Sequence, residues 1–262
     1  MTQLSFDHAV ILVPDLKNAV SQFSKLGFVV TLSGEHEHTC NALIIFNDQT
    51  YIELLALKKS WSRPLLRAVA KIGVIDHIAR RKSDVSWRLM RWIGCSYGAL
   101  DWCIRVDDMQ TARACYQAND LPLLEDINYQ RLRPDGKVAR WLLGSAKDLD
   151  LPFLIKDQTP IDIRIPLGKN TEHPNGASGF KRIHVTVKDA TNVSNCLNAF
   201  FDSQTMEKDS MTSVSKLKAQ IVCSDKTPAK LGKFSLELEY SGKATKLLDV
   251  QRTYGTQIWL TS

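Results

Sequence analysis

From Phe6 to Val13 the chain is almost continuously apolar, Phe-Asp-His-Ala-Val-Ile-Leu-Val, which predicts a buried strand. Pro14 and Asp15 end it. Asp15 can cap a helix on which Leu16, Ala19, Val20, Phe23 and Leu26 share one face. Shorter β-like stretches follow at residues 28–32, 41–46 and 51–57, the last two joined by the turn-forming Asn47-Asp48-Gln49-Thr50. The predicted unit is β-α-β-β-β.

The same outline returns 93 residues later. Residues 99–106 read as a strand, Asp107-Asp108 follows, and Met109, Ala112 and Tyr116 take the places of Leu16, Ala19 and Phe23. Further strands are expected at 127–132, 138–143 and 151–155. A third, weaker copy starts at Phe180, with Asp189 as the cap, Val193, Leu197 and Phe200 as the helix face, and strands at 217–223, 234–240 and 257–260. Repeats of this kind predict an α+β fold of tandem units. The expected boundaries are 1–57 and 98–157 for two full units, 180–262 for a divergent third, 58–97 for a helical insertion and 158–179 for a Pro- and Gly-containing linker.

Composition narrows the class. The 262 residues are 44% hydrophobic and 24% charged, which excludes disordered and fibrous proteins. No export signal is visible, and no apolar run approaches the roughly 18 residues that a membrane span needs. The six cysteines are scattered without a CxxC pair, so thiols in a reducing, cytoplasmic setting are expected. The net charge of +6 is concentrated: ten Lys or Arg against two Asp make residues 58–93 +8, leaving the remainder at −2. This stretch also holds Trp61, Trp87 and Trp92. It reads as a lid whose arginines recognise an anionic substrate, as a surface for nucleic acid or anionic lipid, or as solvated helices packed on the sheet. No RNA-binding signature accompanies it, which argues against nucleic acid.

The tandem unit resembles the vicinal oxygen chelate superfamily, which includes glyoxalases, bleomycin-resistance proteins and extradiol dioxygenases. More narrowly, the chain resembles the glyoxalase-like domain family. The carrying residues are Phe6-Asp7-His8-Ala9-Val10, Val13-Pro14-Asp15-Leu16, His38-Thr39-Cys40-Asn41-Ala42-Leu43, Tyr51-Ile52-Glu53-Leu54 and His173-Pro174-Asn175-Gly176-Ala177. The resemblance implies curved mixed sheets that pair around a cavity, with metal ligands on the first and last strands of each unit. Those positions are His8 and Glu53 in the first unit, and Asp101 in the second, seven residues before its capping Asp108. The last strand of the second unit offers only Phe153 there, so one ligand is missing. Asn41 and His38 are implied as substrate-binding residues.

The residue types support this chemistry. Glu53 interrupts an apolar strand, and a buried carboxylate must be paired, protonated or metal-bound. His8, Glu53 and Asp101 together would suit a divalent Zn, Mn, Fe or Ni ion, and the residues do not choose among them. Such a site would act on a small oxygen-rich substrate, with Glu53 as the catalytic carboxylate moving a proton. The alternatives are structural: Glu53 paired with Arg105 or Arg140, His8 bonded to backbone, Asp101 capping a turn. No dinucleotide, P-loop or serine-hydrolase motif is present. The expected function is a glyoxalase-like enzyme of lyase, isomerase or dioxygenase type. The competing readings are a metal-free binding or sequestering protein, and a nucleic-acid or anionic-surface binder through residues 58–92. A homodimer is left open.

Overall fold

A computed structural model of the chain describes residues 4–35, 39–58, 77, 82–92, 94–118, 120–133, 135–201, 206–208, 211–214, 219–224 and 233–262. The expected helices of residues 58–81 and the loop histidines His36 and His38 lie outside the described residues, apart from Lys58 and His77.

The first unit comprises β1 (Leu4–Val13), α1 (Leu16–Lys25), β2 (Thr31–Glu35), β3 (Thr39–Ile45) and β4 (Tyr51–Leu57). After α2 (Ser86–Trp92) the second unit follows: β5 (Gly98–Val106), α3 (Met109–Ala118), β6 (Ile127–Leu132), β7 (Val138–Ser145) and β8 (Phe153–Asp157). Their eight strands form one sheet in the order β2-β3-β4-β1-β5-β8-β7-β6. Within each unit the first and last strands run parallel, and β1 and β5 meet antiparallel, so the units are related by a local pseudo-twofold.

A short helix, α4 (Ile161–Arg164), leads to a second sheet. Here β9 (Ala177–Thr186), α5 (Ala190–Phe201), β10 (Met206–Lys208), β11 (Met211–Val214) and β12 (Gln220–Ser224) repeat the first unit's order. The strands β13 (Phe234–Tyr240), β14 (Lys246–Leu247) and β15 (Ile258–Thr261) complete it as β13-β15-β14, with β13 antiparallel to β9 as β5 is to β1.

The predicted capping aspartates act as caps. Asp15, Asp108 and Asp189 each accept a bond from the backbone N–H three residues on, at 2.7, 3.1 and 2.9 Å. The predicted helix faces are buried: Ala19 and Phe23 on α1, and Met109, Ala112 and Tyr116 on α3. They join a single apolar core that both sheets share, where the Phe6 and Phe46 rings meet Phe180 at 4.7 and 5.4 Å.

Residues 28–30 are not a strand, because they serve the linker instead. Gly27 (φ +84°) turns the chain against Asn175, and the Val29 N–H donates to Nδ1 of buried His173 at 3.1 Å. His173 Nε2 bonds the Ile45 carbonyl at 3.1 Å, which ties residues 158–179 to the first sheet.

The outer edges of the first sheet, β2 and β6, curl towards each other until it nearly closes into a barrel. Arg131 on β6 bridges them by donating from Nη1 to the Ser33 hydroxyl on β2. Gly34 makes the approach fit: a Cβ there would lie 2.8 Å from Arg131 Cδ. The cavity lies inside this curl.

Candidate functional site

Successive side chains on a strand point to opposite faces, yet Asp7 and His8 both face the cavity side. A bulge explains this. The β1–β5 register skips Asp7, with Phe6 opposite Ile104 and His8 opposite Cys103. Phe6 and Ala9 therefore enter the shared core while Asp7 and His8 turn away from it.

Asp7 is fully buried at the centre of a charge cluster. Arg105 Nε donates to its Oδ2 at 2.6 Å, and Arg164 donates to both of its oxygens at 3.0 and 2.8 Å. Arg164 also holds Asp157 and the Tyr51 hydroxyl. Burial alone would raise the Asp7 carboxyl, but the two guanidinium groups outweigh it and hold Asp7 well below the usual carboxylate range. Burial pushes the Tyr51 phenol well up, and Asp7 adds to the shift.

Asp7 Oδ1 stands 2.6 Å from His8 Nδ1. An ionised Asp7 accepts from Nδ1–H, which leaves Nε2 turned to the cavity. The imidazole is clamped by Tyr51, stacked at 4.5 Å, and by the edge of Phe153 at 5.3 Å. Facing Nε2 at 3.5 Å is Oε2 of Glu53 on β4, whose other oxygen accepts from Asn41 Nδ2 on β3 at 2.6 Å. Asn41 and Glu53 are two pairing positions apart on neighbouring strands, Asn41 opposite Leu55 and Glu53 opposite Leu43. The structure thus brings His8, Asn41 and Glu53 together.

The cavity holds about 520 Å³ and is mainly apolar. Trp92, Tyr129, Trp141 and Phe153 form aromatic walls, and His8, Asn41, Glu53, Arg131 and Arg164 supply its principal polar groups. Ser86, Leu89, Met90 and Trp92 of α2 close one side, so part of the basic, Trp-rich stretch is a cavity wall.

Asp101 stands one layer behind that wall. Its carboxylate takes two bonds from buried Arg88, at 2.8 and 2.6 Å, and one from Trp92 Nε1 at 2.9 Å, and it does not line the cavity. Burial alone would raise the Asp101 carboxyl, but Arg88 more than offsets this and holds it low. Counting seven residues back from each capping aspartate does find equivalent positions: the two register shifts between β1 and β5 fall at Asp7 and Leu100, the same place in each unit, and Ala9 pairs with its counterpart Trp102. Cys103 pairs with Phe153 as Val10 pairs with Glu53, so Asp101 and Phe153 hold the places of His8 and Glu53 in the second unit.

The fit of a metal follows from these donors. His8 Nε2 and Glu53 Oε2 are spaced as two ligands of one ion could be, and a carboxylate behind a ligating imidazole is a common support. The second unit, however, offers Phe153, which has no ligand atom, and Asp101, which Arg88 and Trp92 already hold. Asp7, His8 and Cys103 do gather donor atoms within 4.8 Å, but Asp7 is already held by two arginines. Two guanidinium groups lining the same cavity further disfavour a divalent cation. Among the described residues only His8 and Glu53 remain as free donors at this site, fewer than a complete metal centre uses.

Arg88, Arg131 and Arg164 are functional or supporting residues that sequence reasoning missed. Arg131 sits in Ile-Asn-Tyr-Gln-Arg-Leu, whose alternation would have turned it to solvent or cavity equally well.

Paired β-α-β-β-β units curled around a cavity are the architecture that a glyoxalase-like protein is expected to have. The family model described as "Glyoxalase-like domain" matches residues 6–201, and the chain belongs to that family. It is similar over 99% of both chains to a hypothetical protein from Staphylococcus aureus, at 15% identity and a TM-score of 0.73, which shows the shared fold. Weaker likenesses are to an extradiol ring-cleaving dioxygenase from B. fuscum (11% identity, TM-score 0.46, 91% of this chain and 57% of that one) and to the Mn(II)-bound glyoxalase from Novosphingobium aromaticivorans (8%, 0.46, 92% and 66%). No curated protein sequence matches the chain. No helix among the described residues is long and apolar enough to cross a membrane.

Proposed function

We propose that the cavity is the site of a glyoxalase-like small-molecule enzyme in which Glu53 exchanges a proton with an oxygen-rich substrate. One observation carries this reading. Glu53 is fixed by Asn41 through Oε1 and leaves Oε2 facing the cavity beside His8 Nε2, without a cation bonded to it among the described residues. A carboxylate so placed can remove a proton from the carbon beside a carbonyl, sending the electron pair to the carbonyl oxygen. His8, oriented by Asp7, is placed to share the proton taken up. The chemistry is of the isomerase or lyase type and uses only the chain's own residues.

The test is deuterium exchange. In D2O, the protein is expected to speed exchange at the carbon next to the keto group of pyruvate and phenylpyruvate, followed by NMR. Glu53→Gln should abolish the effect while the fold persists. Exchange in the variant equal to wild type would remove the proposal.

A metal on His8 and Glu53, of the Zn, Mn, Fe or Ni kind, is the second reading. Its support is the 3.5 Å spacing of Nε2 and Oε2 with Asp7 behind the imidazole.

A further inference from the structure

Two buried polar atoms on cavity-lining side chains have no hydrogen-bond partner among the described residues: Oδ1 of Asn41, an acceptor, and Nε of Arg131, a donor. Both side chains are more than nine-tenths buried, at 6% and 7% exposure. Leaving such groups unsatisfied is costly, so they are normally explained by something that binds there. The Asn41 oxygen is committed in direction, because its amide nitrogen already donates to Glu53.

Arg131 is unusual in a second respect. Its Nη1 and Nη2 go to the Ser33 hydroxyl and the Arg164 carbonyl, both neutral, and no carboxylate pairs with it among the described residues. The other buried arginines, Arg88 and Arg164, each have an aspartate. Burial depresses the Arg131 pKa without neutralising it, so its charge stands against the cavity with a free N–H. Around it, Trp141 lies 5.8 Å below the guanidinium and stacks with Tyr129 at 10°, while Trp92 and Phe153 meet at 5.7 Å. These flat faces favour a flat ligand.

Together these observations name a ligand. We infer that the cavity takes a planar aryl carboxylic acid that also carries a hydroxyl or N–H: the carboxylate bonds Arg131 Nε, the donor bonds Asn41 Oδ1, and the ring fills the aromatic slot. This inference rests on the cavity being the small-molecule site proposed above, and it adds the substrate class. It does not depend on Glu53 moving a proton.

The experiment is therefore one of binding, with probes that cannot enolise. The 2-, 3- and 4-hydroxybenzoates are titrated into the full chain, followed by tryptophan fluorescence and calorimetry, beside the matching hydroxybenzamides and benzoate itself. At least one hydroxybenzoate is expected to bind about tenfold or more tightly than its amide, and more tightly than benzoate, as loss of a charge-assisted bond implies. Arg131→Gln should erase the acid-over-amide preference, Arg131→Lys should keep most of it, and Asn41→Leu should erase only the hydroxyl preference. Circular dichroism and thermal melts establish that each variant is folded. Equal binding of acid and amide by the wild type, no saturable binding of any probe, or an acid preference that survives in folded Arg131→Gln would each overturn the inference. Glu53→Gln, which stops deuterium exchange, should leave the acid preference in place, so the two proposals fail separately.

Discussion

His8 Nδ1 and Asp7 Oδ1 lie 2.6 Å apart although the residues are neighbours on one strand, because the bulge at Asp7 puts both on the same side of the sheet. That geometry makes Asp7 the partner of two arginines and a histidine at once. Asp7→Asn removes the charge but keeps the shape, leaving Arg105 and Arg164 with half their compensation. A loss of about 3–5 kcal/mol is expected in urea denaturation, typical of breaking a buried ion pair. A loss below 1 kcal/mol would show that the cluster is solvated rather than buried.

The pair Arg88–Asp101 fastens α2 to β5 beneath Trp92. Replacing either residue alone strands the other's charge in the interior, and about 3–5 kcal/mol should be lost. The double change Arg88→Met with Asp101→Leu should cost less than either single change. A double-mutant cycle by chemical denaturation checks this, and additive losses would contradict it.

His173 gives the fold an acid-sensitive joint. Its Nδ1 accepts from Val29 and burial lowers its pKa below 6.5, so the folded state prefers the neutral ring. The unfolded chain takes up the proton first as pH falls. Stability from this residue is therefore complete above about pH 6.5 and is lost as pH drops through the depressed folded value. His173→Phe should be less stable than wild type at pH 7.5, and its stability should fall less between pH 7 and 5. Parallel pH curves for the two proteins would rule out this origin of the acid loss.

Chelation should matter little. With two donors from the first unit and Asp101 of the second already held by Arg88, dialysis against EDTA is expected to leave melting temperature and hydroxybenzoate binding unchanged. Elemental analysis should find equally little metal in wild type and Glu53→Gln. Stoichiometric metal that disappears in Glu53→Gln would favour the metal-bound reading instead.

Closure of the first sheet depends on Gly34. Any side chain there meets Arg131 Cδ at 2.8 Å or less, so Gly34→Val should push β2 and β6 apart. Faster amide exchange in β6, with weaker probe binding, is the expected signature in hydrogen-exchange mass spectrometry.

Much of the fold could be read from the chain, because helix caps and helix faces are local patterns. Asp15, Asp108 and Asp189 mark three helix starts that the structure contains, and Phe23 and Tyr116 face the core as their spacing requires. Register is different. A bulge inserts one residue without any signature in composition, so nothing in the chain shows that Asp7 shares the cavity side with His8. Arg88 illustrates a second limit: within a run of ten basic residues nothing marks Arg88 as wholly buried, since its partner Asp101 is 13 residues away. The structural alternative for Glu53, a pair with Arg105, fails because Asp7 bonds that arginine instead. Residues 28–32 were legible as β-like, but the His173 bond that claims Val29 is a contact across 144 residues.

The pseudo-twofold between the first two units carries one last consequence. The backbone around the cavity is nearly self-matching, yet the side chains are not: the places of His8 and Glu53 are taken in the other half by Asp101, turned into its pair with Arg88, and by Phe153. A cavity with equivalent halves would accept an elongated guest head-first or tail-first with equal ease. Here the polar end and the apolar end are fixed by the fold, so a guest has one preferred orientation and its reversed placement sets polar atoms against the Phe153 ring. Handedness of insertion, and with it the choice of which carbon meets Glu53, is thus set before any contact specific to the guest is made.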